Sequence, residues 1–188
     1  KALALYAIES DPSAMYRVEN DLGYLLLRHG QLDSAERHLL AALAGSEEVK
    51  LDRRGRGFIL NNLGHLNLVR GDLDAARRYL AQALECGEAT GENLVRAEAH
   101  ELSGKLAERQ GDQRAADEEF GIAIGILETV CMPDRLRDLH MDYATLLDAR
   151  HDTEASVRHW RQAAQLGKLD AAGLGLSGAA KRAGALSG

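Results

Sequence analysis

The sequence predicts an all-α fold, a right-handed solenoid of stacked antiparallel helix hairpins. Three observations carry the prediction. Gly23, Gly64, Gly104 and Ala144 repeat at spacings of 41, 40 and 40 residues. Seven residues after each stands a turn residue, Gly30, Gly71, Gly111 and His151. Composition agrees: 45% of residues are apolar but only 4% aromatic, and there are two prolines, which suits an Ala/Leu-rich helical stack rather than a sandwich or barrel.

Each hairpin repeats the same grammar. After the turn come small residues at Ala35, Ala76, Ala116 and Ser156, and again at Ala42, Ala83, Ala123 and Ala163. Between them stands one bulky side chain: Leu39, Leu80, Phe120 or Trp160. Small residues let two helix axes approach closely, and the large one fills the gap beside them. Glycine at the turn can take the left-handed conformation that ends a helix. Asp72, Asp112 and Asp152 follow as caps for the next helix. One hairpin cannot bury its apolar face alone, so neighbours must stack.

In chain order, residues 1–12 read as the end of a preceding repeat, with Ala2, Leu5, Ala7 and Ile8 as its apolar side, and Asp11-Pro12 stops that helix. On this reading the array continues upstream and the chain is part of something longer. Four repeats follow at 13–45, 46–87, 88–131 and 132–166, and Pro133-Asp134 marks another helix start. Gly55 and Gly57 are poor helix formers, each costing about 1 kcal/mol against Ala, so the helix is expected to fray or bend before Phe58. Residues 167–188 are a Gly-rich tail or a weak capping helix.

The pattern resembles the tetratricopeptide repeat (TPR) family. Leu22-Gly23, Leu63-Gly64 and the Ala-x3-[Leu/Phe/Trp]-x2-Ala runs look like its signature across about residues 13–166. A period near 40 departs from the usual 34. It is closer to the long-helix version in kinesin light chain and in bacterial peptide-sensing or signalling transcription regulators. The aromatics usual at two places on the first helix are replaced by Leu26, Asn67, Ala107 and Leu147.

The resemblance implies that the first helix of each hairpin lines a concave inner surface. Helical spacing then puts Arg17, Asn20, Tyr24 and Leu27 on that surface from the first repeat. The second contributes Phe58, Asn61 with Asn62 beside it, His65 and Leu68. The third gives Glu98, Glu101, Lys105 and Glu108, and the fourth Asp138, Met141, Thr145 and Asp148. Asn is an indifferent helix former, but its carboxamide can both donate to and accept from an extended peptide. Asn20 and Asn61 look like the residues that kinesin light chain and bacterial peptide sensors use in this way. The expected partner is a protein or peptide, amide-rich or apolar at one end and basic at the other. Four repeats about 10 Å apart give a groove of about 40 Å, room for about ten extended residues.

The remaining signals narrow the class. A net charge of −6 argues against nucleic-acid contact, and the basic run Lys50 to Arg56 reads as a solvated helix start. No apolar run is long enough to span a membrane, and Cys86 and Cys131 lack metal-pair spacing, so a reduced, cytoplasmic setting is expected. His100 and His140 are equivalent residues about 10 Å apart, read as structural or surface positions rather than metal ligands. Gly173, Gly175 and Gly178 spell a dinucleotide-type G-x-G-x-x-G without the strand that motif needs. Asp134, Asp138 and Asp142 form either a solvated face or an acidic wall. No catalytic constellation, cofactor site or metal site is expected. The reading is a non-enzymatic peptide- or protein-binding module of a bacterial-type regulatory or signalling protein. A scaffold that self-associates into a homo-oligomer is the alternative, and the regulatory half of an enzyme a weaker one.

Overall fold

The computed structural model describes residues 12–48 and 53–173, all in helices and the short turns between them. Eight helices are seen among the described residues: α1 (Pro12–Arg28), α2 (Leu32–Glu48), α3 (Arg53–Arg70), α4 (Leu73–Thr90), α5 (Asn93–Arg109), α6 (Gln113–Thr129), α7 (Pro133–Ala149) and α8 (Thr153–Gly173). They group into two compact units, one running to Ala123 and the other starting at Ile124. The first holds α1 to α5 and most of α6; the second holds the end of α6 with α7 and α8. Of the repeat end read at residues 1–12 only Pro12 is among the described residues, and the glycine motif's later residues lie outside them. The backbone of α8 stays helical to Gly173, past the expected end at 166.

The turns follow the sequence grammar. Gly30, Gly71 and Gly111 have φ of 71°, 85° and 79°, and His151 adopts 62° in the fourth turn. The next helix is then capped where Asp follows: Asp72 accepts from the Ala75 N–H at 2.9 Å, Asp112 from Ala115 at 3.0 Å and Asp152 from Ala155 at 3.1 Å. A β-carbon in the left-handed region costs about 1–2 kcal/mol, which glycine avoids at some loss of chain entropy. His151→Gly is therefore expected to stabilise the second unit by about 0.5–1 kcal/mol, read as a higher urea midpoint. A lower midpoint would mean that the His151 side chain makes a contact worth more than its backbone strain.

The predicted interlock of small and large residues is present. A β-carbon built on Gly23 would lie 2.7 Å from Leu39 Cδ2, one on Gly64 2.7 Å from Leu80 Cδ2, and one on Gly104 2.7 Å from Phe120 Cδ2. Leu39, Leu80 and Phe120 are fully buried in those gaps, beside Ala35, Ala76 and Ala116. The fourth hairpin departs from this. Ala144 is buried, but Trp160 is 37% exposed instead of plugging the seam. The Ala144 methyl group occupies the space that glycine leaves open elsewhere, and an indole is too large for what remains.

The expected fraying before Phe58 is not observed, because α3 is continuous from Arg53. Gly57 is buried, and a β-carbon there would meet Val95 Cγ1 at 2.7 Å and Cys86 Cβ at 3.5 Å. Contact with α4 and α5 outweighs glycine's poor propensity. Within the basic run, Arg54 pairs with Glu92 at 2.5 Å and Arg56 with Glu47 at 3.3 Å. Arg56 thus ties α3 to α2, and Arg54 ties α3 to the residue that precedes α5.

Candidate functional site

In the first unit, α3 packs against both α1 and α5, which places the first helices of three hairpins side by side. Ile59, Leu60, Asn61, Leu63, Gly64, Leu66, Asn67 and Leu68 are all buried on α3. What remains is a narrow stripe of Phe58, Asn62 and His65, half-buried, ending at exposed Val69. On one side α1 adds exposed Arg17 and Tyr24, the phenol accepting from Arg28 Nη1 at 3.1 Å. On the other side α5 adds half-buried Glu98, Glu101, Lys105 and Glu108. Glu101 and Lys105 form a 2.7 Å ion pair one turn apart.

The two adjacent asparagines of α3 face opposite neighbours. Asn62 donates through Nδ2 to Asn20 Oδ1 on α1 at 2.9 Å. Asn61 donates to the Val95 carbonyl on α5 at 2.9 Å and to Glu98 Oε2 at 3.4 Å. Asn61 has no exposed surface, and its Oδ1 is buried without a hydrogen-bond partner. Its expected place on the binding surface is therefore corrected: the amide ties α3 to α5 from beneath, and Asn62 holds the surface position. Leu27 and Leu68 are likewise buried, in the core rather than on the face. The slip has a simple cause. Successive helical residues are 100° apart, so a stripe read from period alone can be displaced by one position.

In the second unit, α7 exposes Asp138, Met141 and Thr145. The row of acids is not bare, because Arg137 reaches Asp134 at 3.1 Å and Asp138 at 3.2 Å. Asp148 is committed to α8. It accepts from Ser156 Oγ and, at 3.0 Å, from Trp160 Nε1. The Ser156 bond and then the Trp160 bond hold its carboxyl below the usual carboxylate range. Asp148 is thus a strut between the two helices, which a view of α7 alone could not reveal.

A set of paired positions escaped the sequence reading. Eleven residues before and eight after each turn residue stand Glu19 and His38, Leu60 and Tyr79, His100 and Glu119, His140 and His159. The histidines bond across their hairpins: His38 Nδ1 to Glu19 at 2.6 Å, His100 Nδ1 to Glu119 at 2.6 Å, and His140 Nδ1 to His159 Nδ1 at 2.9 Å. Their constant offset from the turn was the available signal. Among the described residues no three His, Cys, Asp or Glu side chains gather as metal ligands, and no helix is long and apolar enough to cross a membrane.

Comparison with known proteins agrees with this architecture. Residues 13–88 match the family described as Tetratricopeptide repeat. No curated protein sequence matches the chain. Among solved structures, BtubC (BKLC) from P. vanneervenii superposes with a TM-score of 0.67 at 20% identity, over 85% of this chain. The chain spans 65% of that protein's length. At this identity the likeness is one of fold. The repeat of this family is a non-catalytic protein-interaction module. Residues 13–88 are thus similar to the tetratricopeptide repeat family, and the likeness to the solved structure extends the same helical-hairpin fold over most of the chain.

Proposed function

We propose that the first unit binds an extended peptide or protein segment across α1, α3 and α5. The supporting observation is the stripe of Phe58, Asn62 and His65, left open on a helix that is otherwise buried. Buried helices do not need half-exposed aromatic and amide side chains in a row, whereas a peptide needs both apolar contact and amide partners. Three first helices about 10 Å apart span about 30 Å, room for about nine extended residues. The segment is apolar or amide-rich over Tyr24, Phe58 and Asn62, and basic where it meets Glu98 and Glu101. In the second unit Asp138 and Met141 offer a smaller surface of the same kind. The module would serve as the sensor or docking part of a regulatory or signalling protein, a setting suggested by its repeat length.

Selection from a displayed library of random decapeptides tests this reading. The wild-type chain is expected to enrich Lys or Arg at one end and Leu, Val, Asn or Gln at the other. Glu98→Lys with Glu101→Lys should shift the basic end toward Asp and Glu, changing affinity for the wild-type selection by at least about tenfold, or 1.4 kcal/mol. Enrichment without positional charge preference, or one unchanged by the reversal, would remove the case for this face.

A further inference from the structure

The paired position across each hairpin is occupied differently in the two units. In the first unit Glu19 faces His38 and His100 faces Glu119, so each ring, once protonated, has a carboxylate in contact. In the second unit a histidine faces a histidine. The two Nδ1 atoms are 2.9 Å apart, the ring centroids 5.1 Å, and Tyr143 lies against His159 with centroids 4.5 Å apart. His140 is only 5% exposed.

We propose that the His140–His159 contact is an acid-released latch, closing α7 onto α8 while the pair is neutral and letting the hairpin open once both rings are protonated. The proton count follows from the geometry. At 2.9 Å one Nδ1–H donates to the other ring's lone pair, so a neutral pair is satisfied. One added proton can go to the far nitrogen of the donor ring and leave that bond in place. A second must go to the accepting Nδ1, which sets N–H against N–H and cation against cation. The bond cannot survive it.

The surroundings offer no relief. The charged groups acting on the pair are the rings themselves and Arg158, which lies beside His159 and is itself paired with Glu154 at 3.1 Å, leaving that carboxylate turned to the guanidinium. Tyr143 contributes an uncharged ring. Among the described residues, no carboxylate hydrogen-bonds to either imidazole. Burial, followed by the neighbouring ring, lowers His140 to about 4, and burial followed by Arg158 lowers His159. Because Asp148 is held below its ordinary range, it stays ionised while the histidines titrate. Opening the hairpin would expose Tyr143, which is buried on α7 against His159.

Trp160, the chain's single tryptophan, sits next to His159 on α8 and reports on the second unit alone. The test follows its emission and iodide quenching in the full chain from about pH 7.5 to about pH 4.5, with helicity measured in parallel. Wild type is expected to shift to the red and become more quenchable as pH falls below the ordinary histidine value of 6.5. His140→Leu with His159→Tyr copies the Leu60 and Tyr79 pairing of the second hairpin and should hold native emission throughout. His159→Glu copies the His100 and Glu119 pairing and should move the transition down by at least about one pH unit. Native helicity at neutral pH decides which variant is informative, and either one is sufficient. A flat wild-type curve, or folded variants that track wild type, would overturn the latch.

Discussion

Replacing Gly64 by Val is expected to destabilise the chain by about 3 kcal/mol, at the upper end of overpacking effects. For a protein of this size that lowers the melting temperature by roughly 6–12 °C. A β-carbon at Gly64 would stand 2.7 Å from Leu80 Cδ2 and 2.8 Å from Leu80 Cγ. Cγ is not the free end of a flexible side chain, and Leu80 is 1% exposed, so it has nowhere to turn. The gain in helix propensity on leaving glycine is under about 1 kcal/mol and does not offset the clash. Adding Leu80→Ala should restore at least half of the loss, because the two substitutions share one volume and couple. A single variant that melts within a degree of wild type would show that α3 and α4 are not interlocked here. The fourth hairpin supports the expectation: where glycine becomes Ala144, the bulky partner Trp160 is left partly exposed, whereas Leu39, Leu80 and Phe120 are fully buried.

The stability of the second unit is expected to fall as pH drops from neutral toward about 4.5. His140 has a folded value of about 4 against an ordinary 6.5, so within this window the unfolded chain binds more protons than the folded one. Stability therefore rises with pH: it is complete above the unfolded value and is lost as pH falls toward the folded one. The full displacement corresponds to about 3 kcal/mol, and water reaching half-buried His159 reduces the effect to about 2. Urea unfolding followed by Trp160 should give a lower midpoint at about pH 5 than at about pH 7. A constant midpoint would mean that the two rings titrate as they do in the unfolded chain, and a higher one in acid that the folded chain binds the protons more tightly; either would overturn the expectation. This measurement concerns stability, whereas the variant exchange above isolates the two imidazoles as its source.

Much of this protein was legible from one dimension. The spacing of Gly23, Gly64, Gly104 and Ala144, with a turn residue seven places on, located every hairpin among the described residues. Steric exclusion acts within a few residues of the chain, so glycine at a seam or a turn declares itself wherever it stands. The capping aspartates were legible for the same reason, since Asp72, Asp112 and Asp152 bond to backbone three residues on. The repeat register, the helix starts and the family resemblance are all properties of this local kind.

What the tertiary structure alone decided is how each side chain is used. Asn61 and Asn62 are chemically identical neighbours, yet one is sealed against Val95 and the other faces outward beside Asn20. Asp148 carries the charge expected of a surface acid, but Ser156 and Trp160 claim both of its oxygens. His140 gives no sign in its own helix that another histidine lies across the hairpin. These assignments depend on angles between helices and on distances across them. A period of 3.6 residues fixes the face of a helix only to within about one position, and the approach of the neighbouring helix settles the rest.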